Sequence, residues 1–164
     1  IIHKTDAGGV KIKLADKVAV EKAFDEIIRN CKVYKKIAKI DGILLQPMVK
    51  EGKEIILGLK RDPQFGPMIM FGLGGVYVEV LKDVSFRLAP LSYEQATKMV
   101  QEIKTYKLLT GVRGEKACKI DAVVDTILKL AQLAQDFPEL KEMDINPAFV
   151  NSKGLMVVDL RMLV

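Results

Sequence analysis

The feature that most constrains this chain is where its strand-like runs fall. They come in neighbouring groups joined by short turns, not singly between helices. Ile43 to Val49, broken by Pro47, leads through the tight turn Lys50-Glu51-Gly52-Lys53 into Glu54 to Lys60, a hairpin pattern. Met68 to Phe71 ends in Gly72-Leu73-Gly74-Gly75, Val76 to Val80 reads as a short extended stretch, and Val84 to Ala89 stops at Pro90. Lys141 to Val150 and Leu155 to Leu160 flank the turn Asn151-Ser152-Lys153-Gly154. A first strand, Val10 to Leu14, alternates apolar and basic residues. Strands joined by such short turns pair antiparallel, whereas a parallel sheet needs a crossover between every pair.

Three helices complete the pattern. Asp16 can cap one running from Lys17 to about Asn30, with Val20, Ala23, Phe24, Ile27 and Ile28 on one face. Ser92 and Gln95 form a capping box for a second, to about Lys104. Ile120 to Gln135 carries an apolar stripe and is stopped at Phe137-Pro138. The order β-α-β-β-β-β-α-α-β-β predicts an α+β fold, helices packed on one face of a largely antiparallel sheet. No linker, repeat or low-complexity stretch interrupts residues 1–164, which read as one domain.

Composition narrows the function classes. No apolar run approaches the roughly 18 residues a membrane span needs. Cys31 and Cys118 lack CxxC spacing, so neither a zinc site nor a disulfide scaffold is expected, and the cytosol is the expected compartment. The net charge of +5 comes from 26 basic and 21 acidic residues that are mostly interleaved. The cluster Lys32, Lys35, Lys36 and Lys39 has no nucleic-acid motif around it, so nucleic acid is not an expected partner.

Several residues carry candidate chemistry. Asp144 and Asn146 lie two apart on one strand and share a face, and Asp159 falls roughly opposite if the last hairpin closes near Ser152. Their hard oxygen atoms suit Mg²⁺. An ordinary hairpin with polar outer residues has the same pattern, and spacing leaves both readings open. Gly72 to Gly75 permits close backbone approach to a phosphate, or is simply a tight turn. The sole histidine, His3, can accept a phosphoryl group or merely sit at the surface. Arg87, in mid-strand, can clamp a phosphate or make a surface ion pair. Glu54 can meet a ribose hydroxyl or organise a cation, or be a solvated strand end.

Six segments together resemble a known family. They are Ile2-His3-Lys4-Thr5-Asp6-Ala7-Gly8-Gly9-Val10, Gly58-Leu59-Lys60-Arg61-Asp62-Pro63-Gln64-Phe65-Gly66-Pro67 and Met70-Phe71-Gly72-Leu73-Gly74-Gly75, followed by Asp83-Val84-Ser85-Phe86-Arg87, Leu108-Leu109-Thr110-Gly111-Val112-Arg113-Gly114 and Glu142-Met143-Asp144-Ile145-Asn146-Pro147. In this order they resemble the ATP-grasp domain of ADP-forming acetyl-CoA (acyl-CoA) synthetases, relatives of succinyl-CoA synthetase β-subunits. The resemblance implies an ATP-grasp fold and the reaction acyl-CoA + ADP + phosphate ⇌ acid + CoA + ATP. It implies a CoA-binding α-subunit carrying the principal phosphohistidine, hence a hetero-oligomer, with ATP or ADP and Mg²⁺ bound by this chain.

By the same resemblance, His3 is a phosphoryl relay, Asn146 and Asp159 hold Mg²⁺, and Asp144 faces the incoming phosphohistidine. Gln46, Pro47, Met48 and Val49 lie along the adenine, Glu54 lies beside the nucleotide, and Arg87, Gly74 and Gly75 belong to the cleft. The family also has an upstream segment with a phosphate-clamping lysine, which this sequence does not contain, and usually a small residue where Leu160 stands. The competing reading is a non-catalytic nucleotide-binding module associated with an acyltransferase.

Overall fold

The computed structural model describes residues 4–49, 51–112 and 114–164, and for Val76 and Glu79 the backbone alone. The chain forms two compact units, Ile1–Met48 and Val49–Val164. In the first, helix α1 (Lys17–Tyr34) starts at Asp16, whose carboxylate accepts the Ala19 N–H at 2.8 Å. Ala23, Ile27 and Cys31 form its buried stripe. Gly9 N–H donates to the Lys4 carbonyl at 2.7 Å, and Gly8, at φ 62°, offers its carbonyl to Asn30 Nδ2.

The expected strands 10–14 and 43–49 are not formed; both segments run as irregular chain. A strand needs a ladder partner for its backbone groups, and neither segment has one among the described residues.

The second unit contains β1 (Lys53–Asp62), β2 (Gly66–Leu73), α2 (Val76–Leu81), β3 (Val84–Leu88), α3 (Tyr93–Gln101), α4 (Ile120–Asp136), β4 (Glu142–Val150), β5 (Leu155–Val157) and β6 (Leu160–Leu163). The sheet runs β3-β2-β1-β4-β5, with β6 also on β4, and every pairing is antiparallel. The expected hairpin between residues 43–49 and 54–60 is replaced by pairing of β1 with β2 and β4.

One face of this sheet is buried under α3 and α4. Ile55, Leu57 and Leu59 of β1, Ile69, Phe71 and Leu73 of β2, and Met143 and Ile145 of β4 meet Met99, Val100, Val123, Val124 and Ile127. The α3 capping box forms as expected, with Ser92 Oγ accepting the Gln95 N–H and Gln95 Oε1 accepting the Ser92 N–H. Val76 to Leu81, expected to be extended, is helical. Its β-branched residues favour strand, but Gly75 at φ 60° turns the chain out of β2, and Lys82 at φ 49° closes the turn with its N–H on the Val78 carbonyl.

Two of the six motifs are structural fastenings. Arg61 reaches across to the end of α4 and donates to the carbonyls of Ala134, Phe137 and Leu140, compensating the unpaired C-terminal groups of that helix. Asp62 accepts the N–H groups of Gln64 and Phe65 at 2.8 and 2.9 Å, which shapes the β1–β2 turn and holds its carboxyl below the usual range. Just before and along β3, Asp83, Ser85 and Arg87 all point to the end of α3. Ser85 Oγ donates to the Met99 carbonyl at 2.7 Å, and Asp83 accepts from Lys104 N–H, Thr105 N–H and Thr105 Oγ1 at 2.9, 2.8 and 2.6 Å.

Candidate functional site

The face of the sheet opposite α3 and α4 presents polar residues of β4. Glu142, Asp144 and Asn146 alternate onto it, because Met143 and Ile145 point into the core. At Asn146-Pro147 the alternation breaks. Leu57 pairs with Ile145 and Ile55 pairs with Ala148, so β4 holds one more residue than β1 there. Such a bulge re-aims a side chain and ends regular pairing.

The other edge of β4 is kinked at the same level. β5 pairs at Ala148 with Val157, and β6 resumes at Ile145 with Leu160. Across the gap, Asn146 N–H donates to the Asp159 carbonyl at 3.1 Å, and the N–H groups of Val158 and Asp159 share the Pro147 carbonyl at 3.0 and 3.3 Å. The main chain thus sets Asn146 directly against Asp159. Asp144 lies two residues along, paired with Arg161 on β6 and Gly58 on β1.

The charge balance here is negative. Burial pushes the Asp144 carboxyl up, Glu142 and Asp159 add to that, and Arg161 opposes it. Among the described residues, no three His, Cys, Asp or Glu side chains converge as a ready-made metal cage. The donor chemistry still fits Mg²⁺, which commonly takes only one or two carboxylates and draws the rest of its shell from water and substrate phosphates. Leu160 pairs with Ile145 and so points to the helix side, away from the Asp144 face; its bulk does not crowd Asp159.

Farther along β1, Glu54 borders a cavity of about 250 Å³ whose lining includes Lys53, Gly74, Gly75 and Tyr77. Lys53 is tied to Glu115 at 2.6 Å, which holds the ammonium protonated. Gly74 N–H donates to the Glu54 carbonyl at 2.8 Å. That amide is therefore not free to cradle a phosphate, contrary to the expectation for a glycine loop.

Arg87 is not part of the Asp144 face. It pairs with Ile69, so it projects on the helix side, where Nη1 and Nη2 meet the two carboxylate oxygens of Glu102 at 2.7 and 2.6 Å. The reading of Arg87 as a cleft cation gives way to its ion-pair alternative. Replacing it with alanine is expected to cost about 0.5–1 kcal/mol, because the pair is partly exposed, and to leave kcat within about twofold. Denaturant unfolding and steady-state assays of Arg87→Ala check both.

The remaining candidates lie elsewhere in the chain. Gln46, Pro47 and Met48 are exposed, irregular chain at the end of the first unit, and Val49 is half-buried at the start of the second. His3 lies outside the described residues.

Sequence and structure comparisons place this geometry among known proteins. A family model described as an ATP-grasp domain matches residues 1–164. The chain is 50% identical over 163 residues to acetate–CoA ligase [ADP-forming] I subunit beta of Pyrococcus furiosus, spanning 99% of this chain and 70% of that subunit. It is 54% identical to acetate–CoA ligase [ADP-forming] I of Archaeoglobus fulgidus, but covers only 24% of that longer protein. A solved structure of Ca. Korarchaeum cryptofilum dinucleotide forming acetyl-coenzyme A synthetase 1, in complex with coenzyme A, Ca-AMPCP and HgCl+, superposes with TM-score 0.97 at 48% identity, covering all of this chain and 72% of that one. Another structure of that enzyme, with coenzyme A and Mg-AMPPCP and its phosphohistidine segment pointing towards the nucleotide binding site, superposes at 0.85 with 46% identity, covering 99% of this chain and 70% of that one.

Proposed function

This chain belongs to the ATP-grasp domains of the ADP-forming acetyl-CoA synthetases, and from that premise we propose that it is the part that binds nucleotide and receives the phosphoryl group. The overall reaction is acyl-CoA + ADP + phosphate ⇌ acid + CoA + ATP, shared with a CoA-binding subunit or domain that carries a phosphohistidine. The observation that carries this reading is the kink in β4, where the main chain sets Asn146 against Asp159 with Asp144 on the same face.

Phosphoryl transfer asks a protein mainly for position and charge neutralisation. Asn146 and Asp159 would hold Mg²⁺, which when bound neutralises charge between the nucleotide phosphates. Asp144 orients the phosphohistidine by accepting its ring N–H, a common partnership of carboxylate and imidazole. Its partial burial suits that task, since a shielded carboxylate makes a stronger hydrogen bond than a solvated one. Glu54 and the cavity beside it lie farther along the same sheet and serve the nucleotide. Gln46 to Val49 read adenine through backbone groups, and His3 relays the phosphoryl group. Buried, unpaired Cys31 and Cys118 suit the reducing cytosol, where we place the protein.

The solved relative with Mg-AMPPCP, whose phosphohistidine segment points towards its nucleotide site, supports this division of labour. The test uses the full-length protein with its CoA-binding partner, supplied with acyl-CoA and labelled phosphate. Label should appear on a histidine and pass to ATP when ADP is added. Nucleotide binding without any turnover in the complete complex would instead make this chain a passive module.

A further inference from the structure

Gly74 follows β2 immediately, and its surroundings differ from those of a phosphate loop. Its N–H is already bonded to the Glu54 carbonyl at 2.8 Å. A Cβ placed on Gly74 would stand 2.6 Å from Glu54 Cγ and 2.8 Å from Oε1. Those are contacts real side chains do not make, so the Glu54 side chain lies flat on the glycine backbone. The requirement for glycine here is steric alone, because Gly74 is not in the left-handed region.

The Glu54 carboxylate has no hydrogen bond or ion pair among the described residues. The neighbouring cation, Lys53, is engaged by Glu115. An uncompensated carboxylate held against a bare backbone, at the wall of a cavity of about 250 Å³, is one whose direction is set by packing and not by partners. We infer that Gly74 is a positioning residue for Glu54: it aims the carboxylate into the nucleotide cavity by leaving room for the side chain to lie across it. The inference rests on the nucleotide reading of that cavity. It assigns Gly74 no contact with phosphate.

A double-mutant cycle in the full-length protein, assembled with its CoA-binding partner, tests this. Gly74→Ala, Glu54→Ala and the double variant are compared by KM for ADP, KM for acyl-CoA, kcat and melting temperature. Each single variant should raise KM for ADP about ten- to a hundredfold, with KM for acyl-CoA unchanged. The double variant should match Glu54→Ala within about twofold, because the added methyl no longer has a side chain to displace. Should Gly74→Ala fold poorly, Glu54→Ala in the same chain should restore its melting temperature.

Three results would overturn the inference while wild-type ADP turnover persists: losses that multiply in the double variant, a wild-type KM for ADP in Glu54→Ala, or a folding defect of Gly74→Ala that Glu54→Ala fails to relieve. Absence of ADP-dependent turnover in the wild-type complex would instead sink the proposed function itself.

Discussion

Asp159→Ala is expected to lower kcat/KM for ADP by about three orders of magnitude without unfolding the protein. The structure gives the reason for both halves. Two main-chain bonds help hold residue 159 in place: its carbonyl accepts the Asn146 N–H and its N–H donates to the Pro147 carbonyl. Alanine keeps both bonds. It removes a carboxylate placed against Asn146, one of two oxygen ligands this chain would offer to Mg²⁺. A factor of about a thousand corresponds to about 4 kcal/mol of transition-state stabilisation, the several kcal/mol expected when charge on transferring phosphates goes unneutralised. Asn146→Ala should lose activity in the same way. Asp144→Ala should behave differently, lowering kcat while KM for ADP stays near the wild-type value, because its assigned partner is the phosphohistidine and not the nucleotide.

The second large effect concerns stability. Asp83→Ala should cost about 3 kcal/mol at neutral pH, measured by denaturant unfolding. Asp83 is buried and, among the described residues, is the acceptor for three donors, the N–H groups of Lys104 and Thr105 and the Thr105 hydroxyl. Alanine leaves all three without that acceptor, at the point where the chain leaves α3 for the 3-10 turn at Tyr106–Leu108. Burial by itself would raise this carboxyl, but the Thr105 hydroxyl and the two N–H groups outweigh it and hold it below the ordinary aspartate value. A carboxyl with a depressed folded-state pKa contributes stability above its unfolded value, about 3.9, and loses it as pH falls through the folded one. The gap between wild type and Asp83→Asn should therefore be full at pH 7 and shrink below about pH 4. A gap that stays constant into acid would show that the charge of Asp83 is not what matters.

Much of the second unit was legible in sequence because its signals are local. Ser92 and Gln95 cap a helix by chemistry written within four residues, and the periodicity of residues 120–135 marks a helix buried on one side. Asn151-Ser152-Lys153-Gly154 closes the last hairpin as its composition predicts, with Asn151 Oδ1 accepting the Lys153 and Gly154 N–H groups. Pairing choices were less legible. The turn at residues 50–53 looked like a hairpin, yet β1 finds its partners at residues 66–73 and 142–150, which no local pattern names. Val76 to Leu81 misled because β-branched residues weigh towards strand, while the turn geometry at Gly75 and Lys82 decides for helix.

The site shows the same division. That Asp144 and Asn146 share a face follows from strand alternation. That Asp159 meets Asn146 depends on a bulge in β4 and a matching gap between β5 and β6, and the only local hint was Pro147. Arg87 looked available for phosphate because a strand residue shows its face but not its neighbour. Glu102, fifteen positions on, takes both of its terminal nitrogen atoms. The resemblance to the acyl-CoA synthetases marked all six motifs without separating fastenings from chemistry. Arg61, Asp62, Asp83 and Arg87 fasten elements of the fold, whereas the Asp144 to Pro147 segment supplies Asn146, which we propose as an Mg²⁺ ligand with Asp159.

The most direct measurement of the central claim is calorimetric titration of ADP into the full-length protein, with Mg²⁺ and again with a chelator, for wild type and Asp159→Ala. The geometry at the β4 kink predicts that Mg²⁺ tightens ADP binding in the wild type, and that Asp159→Ala abolishes this gain while the protein stays folded. Equal Mg²⁺ dependence in the two proteins would contradict it, and would return the last hairpin to an ordinary amphipathic edge.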